Sequence, residues 1–221
     1  MAAVRKWSGV AVAIESAAAT PLAITSIAVG ATATVTPTAG HSYSAGDYVK
    51  FDVLGMSQIN GRVFRVLSVS TTVSFVIEGD GGASLNTSTF SAFTSGTCSK
   101  LTFGTSITTA TSMSASGGDF DFIDTTTIHD LVKTQTPGTA NPLSYSFDNL
   151  WNAADTGQIA MKAASDAQSQ KAFKFTFGAG GPIMVFNGYV GYSGAPTGSA
   201  QDKVVSPAVL TSFGTPTYYA S

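Results

Sequence analysis

Phe173-Lys-Phe-Thr-Phe177 sets a phenylalanine at every second position with a polar residue between each pair. Successive side chains of a strand point to opposite faces of a sheet, so this stretch buries one face and leaves the other polar. A helical period would scatter the three rings around an axis. Upstream, Leu143-Ser-Tyr-Ser-Phe147 repeats the pattern. The two stretches together predict sheet strands facing a core. Further strands are expected over 183–192 and 203–213, where both faces carry apolar residues, one facing the core and one facing a neighbour; Pro207 places the second of them at an edge or bulge. Val10, Val12 and Ile14 alternate with small residues and read as a first strand. Arg5 and Lys6 ahead of the mildly apolar run 7–19 superficially resemble the start of a signal peptide, but Glu15 interrupts the run.

Between the two alternating strands, Asp155-Thr-Gly-Gln158 opens a helical interval reaching to about Ser169. Asp155 is the expected N-cap, with Gln158 reaching back in a variant of the capping box. Ala160, Ala163, Ala164 and Ala167 then share one face, which suits a helix lying close on the outside of a sheet. Residues 114–142 form a long connection rich in Gly, Thr and Asp, expected to be an ordered assembly loop. Gly178-Ala-Gly-Gly181 is followed by neither a helix nor Gly-Lys-Ser/Thr, so it reads as a hairpin turn and not as a phosphate loop.

Residues 24–103 have a different rhythm. Short β runs at 33–36, 48–53, 63–69, 73–78 and 97–103 are separated by the turn signals Gly40, Gly46-Asp47, Asn60-Gly61 and Gly79-Asp80-Gly81-Gly82. The expected organisation is one domain made of residues 1–23 and 104–221, carrying 24–103 as an inserted small all-β module.

Composition narrows the function. Charged residues are 11% of the 221, against roughly 25% in ordinary soluble domains, so much of the surface is expected to meet other protein. A net charge of -2 with no basic cluster beyond Arg5 and Lys6 lacks the electrostatic footprint of a DNA-gripping protein. The one cysteine, Cys98, excludes an intrachain disulfide and a cysteine-based zinc site. No segment approaches the ~20 apolar residues of a membrane helix. Only His41 and His129 could serve a Ser-His-Asp site; His41 sits in a turn signature, Asp130 diverges from His129 on a strand, and no Gly-x-Ser-x-Gly elbow occurs. Catalysis is therefore not expected, and no cofactor is implied. Asp119, Asp121 and Asp124 offer oxygen ligands, but Phe120, Phe122 and Ile123 stand between them and no glutamate closes a calcium loop, so no metal is expected either. The phenylalanines of 173–177 lack the cationic groove that would make them a base-stacking platform.

Several segments carry a family resemblance in their order and combination: Met1-Ala-Ala-Val-Arg-Lys-Trp-Ser-Gly-Val10, Asp119-Phe-Asp-Phe-Ile-Asp-Thr-Thr-Thr-Ile-His129, Ala154-Asp-Thr-Gly-Gln158, Ala172-Phe-Lys-Phe-Thr-Phe177 with Phe186-Asn-Gly-Tyr-Val190, and Ser212-Phe-Gly-Thr-Pro216. In these the chain resembles the major tail tube proteins of long-tailed, non-contractile bacteriophages. Residues 24–103 stand outside that likeness and are similar to a small β module of phage structural proteins, through His41-Ser-Tyr, Gly46-Asp47, Gly55-Met56 and Asn60-Gly-Arg-Val-Phe-Arg-Val66. The resemblance implies a tail-tube β-sandwich or barrel with one flanking α-helix, and a homo-oligomer of hexameric rings stacked into a tube in the virion. It further implies tape measure, tail tip and terminator proteins as partners, transient passage of DNA, and assembly in the host cytoplasm away from any membrane. Asp119, Phe120, Asp121, Phe122, Ile123 and Asp124 are the expected subunit contact, because large apolar side chains among loop aspartates need a partner surface to cover them. Two other readings are a head decoration or head-tail connector protein, and a carbohydrate-binding β domain using Tyr43, Tyr48, Tyr218 and Tyr219.

Overall fold

The computed structural model describes residues 9–220, so Arg5, Lys6 and most of the first resemblance segment lie outside the described residues. In chain order the elements are β1 (Val10–Ile14), β2 (Ala17–Ala18), β3 (Leu22–Ile27), β4 (Thr34–Pro37), β5 (Tyr48–Leu54), β6 (Val63–Ser70), β7 (Ser74–Ile77), β8 (Ser95–Thr102), β9 (Thr105–Ile107), β10 (Ala110–Ser116), β11 (Phe120–Asp124), β12 (Gln135–Ala140), β13 (Ser144–Leu150), α1 (Thr156–Asp166), β14 (Lys171–Phe177), β15 (Ile183–Tyr192), β16 (Val205–Ser212) and β17 (Thr217–Tyr219). The fold is mainly β, with antiparallel pairing throughout.

The larger sheet runs β10-β13-β16-β15-β14-β1-β9, with β17 added to β15. Phe173 pairs with Phe186 and Phe175 with Met184, and Phe173, Phe175 and Phe186 form a stacked group with Tyr145. Met161 and Ala164 of α1 close over this core. The helix is held where it is by its first turn: a Cβ on Gly157 would stand 2.6 Å from the Ser106 carbonyl oxygen. Asp155 caps α1 by accepting from the Gln158 amide at 2.9 Å.

Gln158 does not reach back as a capping box would require. Its side chain is buried and spent on the sheet, donating to Thr109 Oγ1 and the Leu150 carbonyl and accepting from the Asn152 amide and the Tyr192 hydroxyl. The alanine face is also corrected: Gly157, Gln158, Met161 and Ala164 are buried, whereas Ala163 and Ala167 are exposed. Methionine fills the gap that alanines would leave open.

The smaller sheet follows β2-β8-β3-β4-β7-β6-β5, and β5 pairs back with β8. Six strands therefore close into a barrel with no free edge except through the short β2. Val35, Val49, Phe51, Phe64, Phe75, Ile77 and their neighbours fill it. The chain leaves the larger sheet after β1 and returns before β9 at adjacent points, since the Ser16 amide donates to the Thr102 carbonyl at 2.9 Å.

A third cluster, Val63, Leu101, Ala172, Val185 and Tyr219, welds barrel to sheet. This changes the reading of β15. Its second apolar face does meet a neighbour, but that neighbour is the barrel of the same chain. Pro207 likewise sits in β16, between β13 and β15, and not at a sheet edge; it pairs with Asp148, just beyond the last β15 partner, Ala208. Its missing N–H thus falls where β15 has ended.

Candidate assembly surface

The expected loop over residues 114–142 is instead the end of β10 followed by a hairpin of β11 and β12. Phe120 pairs with Ala140, Phe122 with Pro137, Ile123 with Thr136 and Asp124 with Gln135. Every residue from 114 to 137 is exposed, and none of the hairpin's side chains joins a core cluster. Phe120 is 52% exposed, Phe122 61% and Ile123 59%. The tip goes further, with Ile128, Leu131 and Val132 almost wholly in solvent. These three were missed in the sequence, where Thr125–Thr127 and His129-Asp130 gave the segment a polar cast.

The aspartates of the hairpin are turn-makers. Asp124 accepts from the Thr126 amide at 2.9 Å, and the hydrogen bonds from Thr126 hold its carboxyl below the usual range. Asp130 accepts from both the amide and the hydroxyl of Thr127, with the same effect. Asp121 accepts from the Asn141 side-chain amide. Phe120, Phe122 and Asp124 alternate with Asp121 and Ile123, so the three carboxylates do not share one face of the strand. Among the described residues no group of three His, Cys, Asp or Glu side chains is arranged to hold a metal ion.

Beside the hairpin the larger sheet ends in two edges, β10 and β9, that pair with no other strand among the described residues and are joined by only Thr108 and Thr109. Val10 and Ala11 of β1 extend past β9, and together with β10 they flank a cleft of about 630 Å³ lined by Val12, Ile107 and Met113 among others. The outer face of β10, β13 and β16 is poor in charge: Ser112, Ser114, Ser146 and Val209 are exposed there, with Asp148 as the charged side chain among them.

The other candidates resolve differently. His41 is buried in the barrel, stacked on Tyr43 and edge-on to Phe75, whereas His129 lies at the hairpin tip. The tyrosines of the carbohydrate reading make no exposed patch: Tyr43 and Tyr219 are buried, Tyr48 is half-buried, and only Tyr218 of the four is exposed. Burial pushes the Tyr43 and Tyr219 hydroxyls well above the usual tyrosine range.

A family model described as phage tail tube protein, TTP, matches residues 54–221. The chain belongs to this family. The match starts at the end of β5, so it takes in the later barrel strands as well as the larger sheet beyond β8. No curated protein matches the chain. As a tail tube protein it is a structural component of the phage tail and hence of the virion. Exposed apolar side chains on a hairpin that no other described residue covers, next to open sheet edges, are what a subunit built to be surrounded by copies presents.

Proposed function

We propose that this tail tube protein assembles into hexameric rings that stack into the hollow tube of a non-contractile phage tail, and that it performs no catalysis. The rings form as the open edges around β9 and β10 are covered by neighbouring subunits, and residues 119–124 of the hairpin contact an adjacent copy. Tape measure, tail tip and terminator proteins set the length and ends of the tube, which is built in the host bacterial cytoplasm. DNA passes through during ejection. A hydroxyl-rich face such as that of β10, β13 and β16, whose charged side chain is Asp148, would not retain a polyanion by counterion release, because it sets no Lys or Arg against the phosphates. Residues 1–23 and 104–221 make the tube wall, and the module of 24–103 stands on its outer side.

The observation that carries this reading is the exposed hairpin. Burying each of Phe120, Phe122 and Ile123 is worth roughly 1.5 to 3 kcal/mol, and nothing among the described residues does so. Negative-stain microscopy of purified protein, with tail initiation components supplied, is expected to show tubes or rings. Phe120→Ser with Phe122→Ser is expected to abolish tubes while leaving a soluble subunit with an unchanged far-ultraviolet spectrum. Normal tubes from the double variant would remove the hairpin from the interface.

A further inference from the structure

The segment 213–219, which ends in β17, is gripped from two sides. On one side β17 pairs with β15 of the larger sheet, Val185 with Thr217, Met184 with Tyr218 and Ile183 with Tyr219. On the other it meets the barrel. Arg62 Nε donates to the Thr215 carbonyl at 3.0 Å, Thr217 Oγ1 donates to the Val63 carbonyl at 3.1 Å, and the Tyr219 hydroxyl accepts the Arg65 amide at 2.7 Å. One residue earlier, the Tyr218 amide donates to Asp80 Oδ1 at 2.7 Å and its carbonyl accepts the Gly81 amide at 3.2 Å. The segment itself carries no charge, so charged and backbone groups of the barrel close on neutral partners. Tyr219 adds the largest side chain of the buried seam.

We infer that residues 213–219 are a strap that sets the orientation of the barrel on the larger sheet: seated, it makes the two move as one body, and released, it lets the barrel swing about the chain crossing while both keep their folds. The crossing at Ser16 and Thr102 is a single attachment at the end of β8, and one attachment leaves rotation free. Lys174 reaches the barrel close to it, with Nζ 5.3 Å from the ring centres of Tyr48 and Phe103. The strap holds β6 instead. Leu101 of β8 pairs with Tyr48 of β5, and Tyr48 with Arg65 of β6, so the strap's grip lies two strand spacings, roughly 10 Å, from β8. A second attachment at that distance takes up the rotation. Asn187 of β15 adds a hydrogen bond to the Gly61 carbonyl at 3.1 Å, and its own carbonyl accepts the Phe213 amide at 2.7 Å, so this bridge is tied to the strap as well. A seam this polar opens more readily than an apolar core, and relative motion is what two units joined by such a seam show once a clamp is lost.

The test measures a distance within one chain. Val73→Cys on the barrel and Ile159→Cys on α1, at positions 61% and 53% exposed, take spin labels, whereas the native Cys98 is buried and stays unlabelled. Labelled chain is diluted into an excess of unlabelled chain, and pulsed electron spin resonance gives the distribution of the distance between the labels. A narrow distribution is expected for the whole chain, and one at least twice as wide for a chain stopped after Ser212 whose far-ultraviolet spectrum stays β-rich. Equal widths in the two, or a whole chain as broad as the shortened one, overturn the strap. Should the shortened chain lose its fold, Arg62→Ala with Asp80→Ala and Tyr219→Phe decides, because it cuts bonds to the barrel and leaves the backbone pairing of β17 with β15 in place. Widening in this variant supports the strap, and a distribution as narrow as the whole chain's overturns it. Tube formation plays no part in the readout, so either result leaves the proposed assembly standing.

Discussion

Tyr219 joins three kinds of interaction in one side chain. Its ring is fully buried in the seam, the Arg65 guanidinium lies 4.6 Å from the ring centre, and its hydroxyl accepts from the Arg65 amide at 2.7 Å. Arg65 is itself clamped by Glu78, with Nε on Oε2 at 2.5 Å and a second hydrogen bond at 2.6 Å. Tyr219→Phe keeps the packing but leaves the Arg65 amide without its acceptor, and a loss of about 1 to 3 kcal/mol in urea unfolding is expected. A second residue-scale effect follows from Tyr145, whose hydroxyl is pushed up to about 12, first by burial and then by Tyr218. A tyrosine in the unfolded chain ionises near pH 10. The fold holds the neutral form more tightly, so this contribution to stability is fully present below about pH 10 and is lost as pH rises toward 12. The urea midpoint is expected to fall across that window, and Tyr145→Phe to flatten the fall.

At the scale of elements, the hairpin of β11 and β12 and the helix α1 are opposites. The helix is tied to the sheet by four hydrogen bonds of one buried glutamine and by Met161 in the core. Among the described residues the hairpin is tied only to itself and to its base. Replacing residues 119–140 with a Gly-Gly link should therefore shift the melting temperature of the isolated subunit little while removing its ability to form tubes. A large drop in melting temperature would place the hairpin in the subunit's own stability. The β11 strand was hard to see in advance because its apolar residues, Phe120, Phe122 and Ile123, do not alternate cleanly and its partner Gln135-Thr-Pro-Gly-Thr-Ala140 has no apolar face at all. The long serine-rich β10 was hidden for the same reason: only Met113 and Ala115 mark its inner face against Phe147 and Tyr145.

For the whole molecule the seam decides how separable the barrel is. The chain leaves and rejoins the larger sheet at hydrogen-bonded neighbours, Ser16 and Thr102, which favours excision with a short Gly/Ser linker. Excision would also uncover Val185 and Tyr219 and strip Arg62 from the Thr215 carbonyl, with Gly61 pulled from a contact so close that a Cβ would stand 2.4 Å from Phe213. The excised variant is expected to fold and to form tubes, but to be about 3 to 6 kcal/mol less stable, the worth of two large buried side chains. Failure to fold would make the barrel part of the tube domain's core.

The sequence by itself determined the strands whose side chains alternate, such as 173–177 and 183–192, the Asp155 cap and the turn at 178–181, because each depends on residues close together in the chain. It also carried the family likeness, which needs only order and spacing. What covers each face was settled by tertiary structure. The second face of β15 is apolar either for another subunit or for the chain's own barrel, and residues distant in sequence, Val63 and Leu101, decide for the barrel. Gln158 could cap a helix or bridge to a sheet, and the closeness of Thr109, Leu150 and Tyr192 selects the bridge. Phe120, Phe122 and Ile123 were visible from the start; that nothing among the described residues covers them is a fact of three-dimensional packing, because exposure depends on where the rest of the chain is not.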